Sequence, residues 1–276
     1  MAIYPTKSVF NTLKKQANLA PLFTKFKANK DALSIYRKVR GNNSFILHSS
    51  MPDKSLGQYS FIGFNPFLTI KSKNKDVSIN GRHLIGNPIK ILKKKLSLFK
   101  SIRHKGLPLY FGGAVGYFSY DIAHFFEKLP RNAKDDINAP DIYFSFFDKS
   151  IIYDHFKKEI TIVVLGNEYN KLLSQLLEIK NRLSGKPKPI DKKIQCGTLR
   201  SNFSKKQYIK AINKIKEYIK AGDTFQVNLS QRLEAEITLD PLAVYKNLVK
   251  INPAPFSALL EFDGLSIISS SPERLV

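Results

Sequence analysis

Phe225-Gln226-Val227-Asn228-Leu229-Ser230-Gln231-Arg232 is the stretch on which the reading of the fold turns. At period two, Phe225, Val227 and Leu229 share one side while Gln226, Asn228, Ser230 and Arg232 share the other, which predicts a strand with one apolar and one polar face. A polar face of this kind meets either solvent or a polar cavity, and the flanking sequence has to decide between them. Upstream, Ser204 and Gln207 have capping-box spacing, Tyr208, Ile212, Ile215 and Ile219 form a helical stripe, and Gly222 supplies a stop. Downstream, Asp240-Pro241 opens a second helix with Leu242, Tyr245, Leu248 and Val249 inward, and Asn252-Pro253-Ala254-Pro255 ends it. Phe256 to Phe262 and Leu265 to Ser269 read as strands around an Asp263-Gly264 turn. Such a series leaves a sheet edge and an apolar face uncovered at Val276, so the chain is expected to be the first part of a longer one.

The first forty residues are weakly patterned. Beyond them, Phe45 to Ser50 and Gln58 to Gly63 read as strands, and Asp76 to Ile85 reads as a hairpin turning at Asn80-Gly81. Ile89, Leu92, Leu96 and Phe99 lie on one helical stripe within 88–102, surrounded by lysines that suit a solvated face better than a phosphate site. Gly112, Gly113 and Gly116 fit neither a phosphate loop nor a dinucleotide fingerprint and read as turn or close-packing glycines. Runs at 142–147, 150–153 and 159–165 are strand-like, and 168–183 is an amphipathic helix. The proline-containing, aperiodic stretch after it divides the chain into a domain over 1–183, a linker over 184–200 and the start of a second domain over 201–276.

Composition narrows the class. With 43% hydrophobic and 24% charged residues the chain is globular, and 276 residues suffice for one large domain or two modest ones. The excess of 45 Lys plus Arg over 22 Asp plus Glu, a net +23, attracts anions of every kind. The lysines are scattered rather than interleaved with aromatics, which argues against a nucleic-acid surface and leaves small acidic substrates open. Cys196 is the sole cysteine, so an intramolecular disulfide and a multi-cysteine metal cage are excluded and a reducing, cytoplasmic setting is expected. No apolar run reaches the roughly eighteen residues of a membrane helix, and MAIYPTKSVFNTLKK lacks the apolar core of a signal peptide.

GDTFQVNLSQR, INPAPFSALL and SSPERLV, in that order and spacing, closely resemble the chorismate-utilising enzymes, specifically component I of aminodeoxychorismate synthase and of anthranilate synthase. ILHSS, GQYSFIG, GGAVGYFSYD and EKLP resemble the N-terminal domain of the same subfamily, so the likeness spans nearly the whole chain. It implies an α/β (α+β) fold of two packed, largely antiparallel sheets flanked by helices, whose catalytic core continues beyond Val276. It also implies Mg2+, held by glutamates expected beyond Val276, with chorismate as substrate and ammonia delivered by a glutamine amidotransferase subunit. Glu273 matches the family's catalytic glutamate, the general acid toward the departing hydroxyl. Gln226 matches the position at which isochorismate- and salicylate-forming relatives carry a water-activating lysine. An amide cannot take a proton from water, so Gln226 points to ammonia as nucleophile.

Ser49, Gly57, Gln58, Tyr59, Ser60, Pro255, Phe256 and Ser257 match positions that line a tryptophan pocket in this subfamily; the alternative is that they only pack one domain on the other. Feedback-inhibited anthranilate synthases carry a glutamate before the matched serine to meet the ligand's ammonium, and here that residue is His48. This change and the NPAPFSA motif favour aminodeoxychorismate synthase, with anthranilate synthase as the alternative product assignment. The non-enzyme alternative is an inactive tryptophan-binding or amidotransferase-docking fragment. Turnover by these residues alone is not expected.

Overall fold

The structure, a computed structural model, describes residues 2–53, 56–130, 134–187, 189–190 and 195–274. Residues 188 and 191–194 of the expected linker lie outside the described residues. Two compact units result, one formed by residues 1–189 and 244–276 and the other by residues 190–243.

In chain order the first unit begins with β1 (Ile3–Tyr4), α1 (Lys7–Leu13), β2 (Ala20–Lys27), α2 (Ala32–Val39), β3 (Ser44–His48) and β4 (Tyr59–Gly63). It continues with β5 (Leu68–Lys73), β6 (Asp76–Ile79), β7 (Arg82–Ile85), α3 (Pro88–Leu98) and β8 (Gly113–Phe118), followed by a 3-10 turn over Tyr120–Phe125. Then come β9 (Ile142–Phe147), β10 (Lys149–Asp154), β11 (Glu159–Gly166) and α4 (Tyr169–Ser184). The second unit holds β12 (Gln195–Cys196), β13 (Arg200–Ser201), α5 (Lys205–Ala221), β14 (Leu233–Glu234) and β15 (Ile237–Thr238). After α6 (Pro241–Ile251), the hairpin of β16 (Phe256–Phe262) and β17 (Leu265–Ser271) completes the first unit.

An eight-stranded sheet, ordered β1-β2-β11-β10-β4-β3-β16-β17, and a five-stranded sheet, ordered β7-β6-β5-β9-β8, make up the first unit, with every strand pair antiparallel. The expectation of largely antiparallel sheets flanked by helices holds. Phe45 and Leu260 from the first sheet meet Val115, Tyr143 and Phe147 from the second in one apolar cluster. At its heart the Tyr143 and Phe262 rings stack with centroids 4.1 Å apart. Burying such surface supplies the main drive for holding the sheets together. β16 enters the sheet beside β3 in a register that pairs Leu47 with Ala258 and His48 with Ser257.

The first forty residues are far more ordered than their weak pattern predicts. β2 is buried from Ala20 through Thr24, with α1 and α4 packed against it. A strand covered on both faces loses the alternation that would announce it. The Asn80-Gly81 hairpin is present, with both residues at positive φ (47° and 82°), as a type I′ turn requires.

The predicted strand 225–232 is not one: those residues join no ladder among the described residues, and Phe225 is 98% exposed. Alternation identifies two faces, but only a neighbouring backbone makes a strand. Within the second unit the available neighbours are spent further along, where Leu233–Glu234 pairs with Arg200–Ser201 and Ile237–Thr238 with Gln195–Cys196. The end of the stretch is held by side chains, through Arg232 N–H to Asn202 Oδ1 (2.8 Å) and Gln231 Nε2 to Ser201 Oγ (2.8 Å). By contrast, α5 follows its sequence signals closely. Ser204 and Gln207 form the reciprocal capping box, and Gly222 closes the helix in the left-handed region at φ 83°.

Candidate functional site

Where β3, β4 and the start of β16 meet, a pocket of about 220 Å³ opens, lined by Leu47, His48, Ser49, Leu56, Tyr59, Phe61 and the run Pro255 to Ala258. Five residues predicted from the sequence therefore share it: Ser49, Tyr59, Pro255, Phe256 and Ser257. The β3–β16 pairing explains the meeting, because the His48–Ser257 register pair brings the end of one strand against the start of the other. Ser49 turns away from β3 under two hydrogen bonds, with its N–H donating to Ser60 Oγ (3.1 Å) and its hydroxyl to the Tyr59 carbonyl (2.9 Å).

The remaining predicted residues stand behind the wall rather than in it. Gln58 donates through Nε2 to Asp154 Oδ2 (3.0 Å), and Ser60 Oγ lies 2.6 Å from His155 Nε2. Gly57 is tight against backbone, since a Cβ there would stand 2.6 Å from the Asp53 nitrogen. The opposite wall is tied by hydroxyls. Ser50 Oγ is 2.8 Å from Ser257 Oγ and accepts from the Ala254 N–H (2.8 Å), while Ser257 Oγ donates to the Ala254 carbonyl (3.1 Å).

His48 Nδ1 is 3.0 Å from the Tyr245 hydroxyl, and its ring centroid is 6.0 Å from that of His155. Burial, reinforced by His155, lowers the His48 pKa to about 4; burial and then Lys158 lower that of His155 to about 4. Both imidazoles are therefore neutral near pH 7, and no carboxylate lines this pocket among the described residues. Such a pocket offers apolar surface, hydroxyls and a neutral ring rather than a counter-charge. Leu47, Phe61 and Ala258 carry no separate sequence signal beyond strand alternation. Tyr245 is legible as the inward position of a helical stripe, whereas nothing in the sequence points to His155.

Gln226 and Glu273 lie in different units. Gln226 is exposed, with Nε2 3.4 Å from Asn228 Oδ1. Glu273 is also exposed and follows β17 in a turn closed by Ser271, whose hydroxyl donates to the Glu273 carbonyl (2.9 Å) and accepts from its N–H (3.4 Å). Two other hollows contain none of the predicted residues: one of about 390 Å³ lined by Gly197, Thr198, Arg200 and 234–236, the other of about 200 Å³ around Lys73, His124 and Asp141. Among the described residues no group of three or more His, Cys, Asp or Glu could hold a metal ion. No helix among the described residues is long and apolar enough to cross a membrane.

Comparison with known proteins gives these features a family. The chain is 36% identical to anthranilate synthase component 1 of Acetivibrio thermocellus over 99% of its own length and 60% of that protein's. It is 32% identical to aminodeoxychorismate synthase component 1 of Bacillus subtilis over 80% of its length and 49% of that protein's. Among solved structures, anthranilate synthase component I from Streptococcus pneumoniae TIGR4 superposes with a TM-score of 0.68 at 25% identity, covering 90% of this chain and 57% of that one. The chain thus spans about half to three fifths of the length of the relatives it matches. The profile of the chorismate binding enzymes matches residues 43–276, and the chain belongs to that family.

Proposed function

We propose that this chain belongs to component I of an aminodeoxychorismate synthase, which converts chorismate and ammonia to 4-amino-4-deoxychorismate and water for 4-aminobenzoate and folate synthesis. The observation that carries the choice is a pocket that presents His48 as a neutral ring and, among the described residues, no carboxylate. A pocket built for feedback by tryptophan needs an anion for the ligand's ammonium, and here the position is an imidazole already engaged by Tyr245. Ammonia comes from a glutamine amidotransferase partner.

In this reading Glu273 donates the proton with which the ring hydroxyl departs as water, and the turn at Ser271 sets where its carboxyl starts from. Gln226 supplies an amide in place of a base, leaving water unactivated and ammonia as the group that enters the ring. Mg2+, when bound by the complete enzyme, neutralises substrate carboxylate charge. The 276 residues alone are proposed to be inactive.

A second reading, anthranilate synthase component I, is favoured by the 36% identical relative of that name. Incubating the complete enzyme with chorismate, ammonia and Mg2+ and separating the products chromatographically distinguishes the two. A product that a lyase converts to 4-aminobenzoate supports the first reading, and direct release of anthranilate overturns it.

A further inference from the structure

The hairpin β16–β17 joins the pocket to the candidate acid by a short series of pairings. In its register Ser257 faces Ser270 and Phe256 faces Ser271, so each of these two pocket-lining residues sits opposite a serine at the end of β17. Those serines point their hydroxyls to different uses. Ser270 Oγ donates to the Asn252 carbonyl, at the head of the 252–255 loop that leads into the pocket wall. Ser271 Oγ holds both the carbonyl and the N–H of Glu273, fixing the backbone from which that side chain departs. A side chain that closes such a turn restricts the backbone locally, and β16 and β17 are joined by the hydrogen bonds of their antiparallel ladder. Phe256 is therefore one cross-strand step, and one hydroxyl turn, away from Glu273.

We propose that Ser271 is a positioning residue for Glu273, and that through its pairing with Phe256 it makes the placement of Glu273 depend on the state of the pocket. The proposal rests on the acid role assigned to Glu273 and adds a route by which anything seated against Phe256 acts on it. Ser271 touches no substrate in this scheme. Its hydroxyl transmits a change in the β16 backbone into the turn that carries the acid.

Carboxyl-13C-labelled glutamate in the intact chain provides the test, with the Glu273 resonance assigned by its loss in Glu273→Gln. Phe256→Ala, or the milder Phe256→Leu should the former unfold, changes the pocket without any ligand. The expected result is a displaced Glu273 resonance in the Phe256 variant, no displacement when Ser271→Ala is added, and a restored displacement with Ser271→Thr, which keeps the hydroxyl. A residue that merely stabilised the hairpin would leave the response to Phe256 intact. A Glu273 resonance unmoved by either Phe256 variant, or moved equally with and without the Ser271 hydroxyl, overturns the proposal. Because neither turnover nor ligand enters the measurement, its failure leaves the assignment of product and of pocket ligand standing, and theirs leaves it standing.

Discussion

Arg40, closing α2, and Glu261, on β16, form a buried ion pair across 221 positions of sequence, with Arg40 Nε 3.1 Å from Glu261 Oε2 and both side chains nearly nine-tenths shielded from solvent. The same carboxylate accepts from the Tyr36 hydroxyl, and Ser44 Oγ is 2.9 Å from that phenol. Burial first, and then Glu261, push the Tyr36 phenol well above its ordinary range, so it remains a donor. This cluster bolts β16 to the helix and strand that precede it by two hundred residues.

Removing one member should therefore cost far more than a surface pair. Glu261→Ala removes the carboxylate from a shielded guanidinium, and urea unfolding is expected to show a loss of about 3–5 kcal/mol. Glu261→Gln, which retains an acceptor for Tyr36, should lose less. A loss below about 1 kcal/mol for Glu261→Ala, the size of an exposed pair, would show that the cluster does not hold β16 in place.

His48 in the pocket wall and His155 behind it give stability a pH dependence whose sign is fixed by the direction of their shifts. Both folded values lie near 4 against an ordinary 6.5, so the unfolded chain binds protons that the folded chain refuses. The associated stability is complete above pH 6.5 and is lost as pH falls from 6.5 toward 4. For His48, the more deeply buried of the two, the loss is about 3 kcal/mol at most. Melting midpoints taken across this window should fall steeply in the native chain and less steeply in His48→Gln. Equal slopes in the two proteins would remove His48 from the account.

Gly116 lies on β8 opposite Phe144 on β9, and a Cβ there would stand 1.9 Å from the Tyr143 carbonyl oxygen and 2.7 Å from the Phe144 Cα. Both obstacles are backbone, so the strands must part to admit even a methyl group. Gly116→Ala is expected to destabilise by about 2–3 kcal/mol through overpacking. Gly81→Ala, at φ 82° with open space around it, should cost only the left-handed backbone penalty of about 1–2 kcal/mol. Denaturation midpoints in the reverse order would mean that the β8–β9 contact relaxes more easily than its geometry indicates.

What the sequence could convey divides along a physical line. Local devices were legible: the Ser204–Gln207 box, the Gly222 stop and the Asn80-Gly81 turn depend on neighbours a few residues away. The family resemblance brought Ser49, Tyr59 and Phe256 together although two hundred residues separate them, and the structure places them around one pocket. Long-range pairing was not legible. β2 hid because both of its faces are covered, and 225–232 looked like a strand because its alternation says nothing about whether a partner is present. Arg40 and Glu261 gave no sign of each other, because an ion pair has no spacing rule once the chain has travelled across a sheet.

The residue that most sharply separates the proposed function from its rival is His48. If the pocket's preference is set by that neutral ring, restoring a carboxylate should restore affinity for an amino acid. Calorimetry is expected to show weak or undetectable tryptophan binding to the native chain, and binding to His48→Glu that is tighter by about 1.5–3 kcal/mol, the worth of a hydrogen bond to a charged group. That corresponds to a gain of about ten- to a hundredfold. Indole, which has no ammonium group, should bind both proteins alike and so separates a gain in charge recognition from a change in pocket shape. Tight tryptophan binding by the native chain, unchanged in His48→Glu, would mean that the pocket recognises the ammonium through groups other than residue 48, and the case against feedback by tryptophan would fall with it.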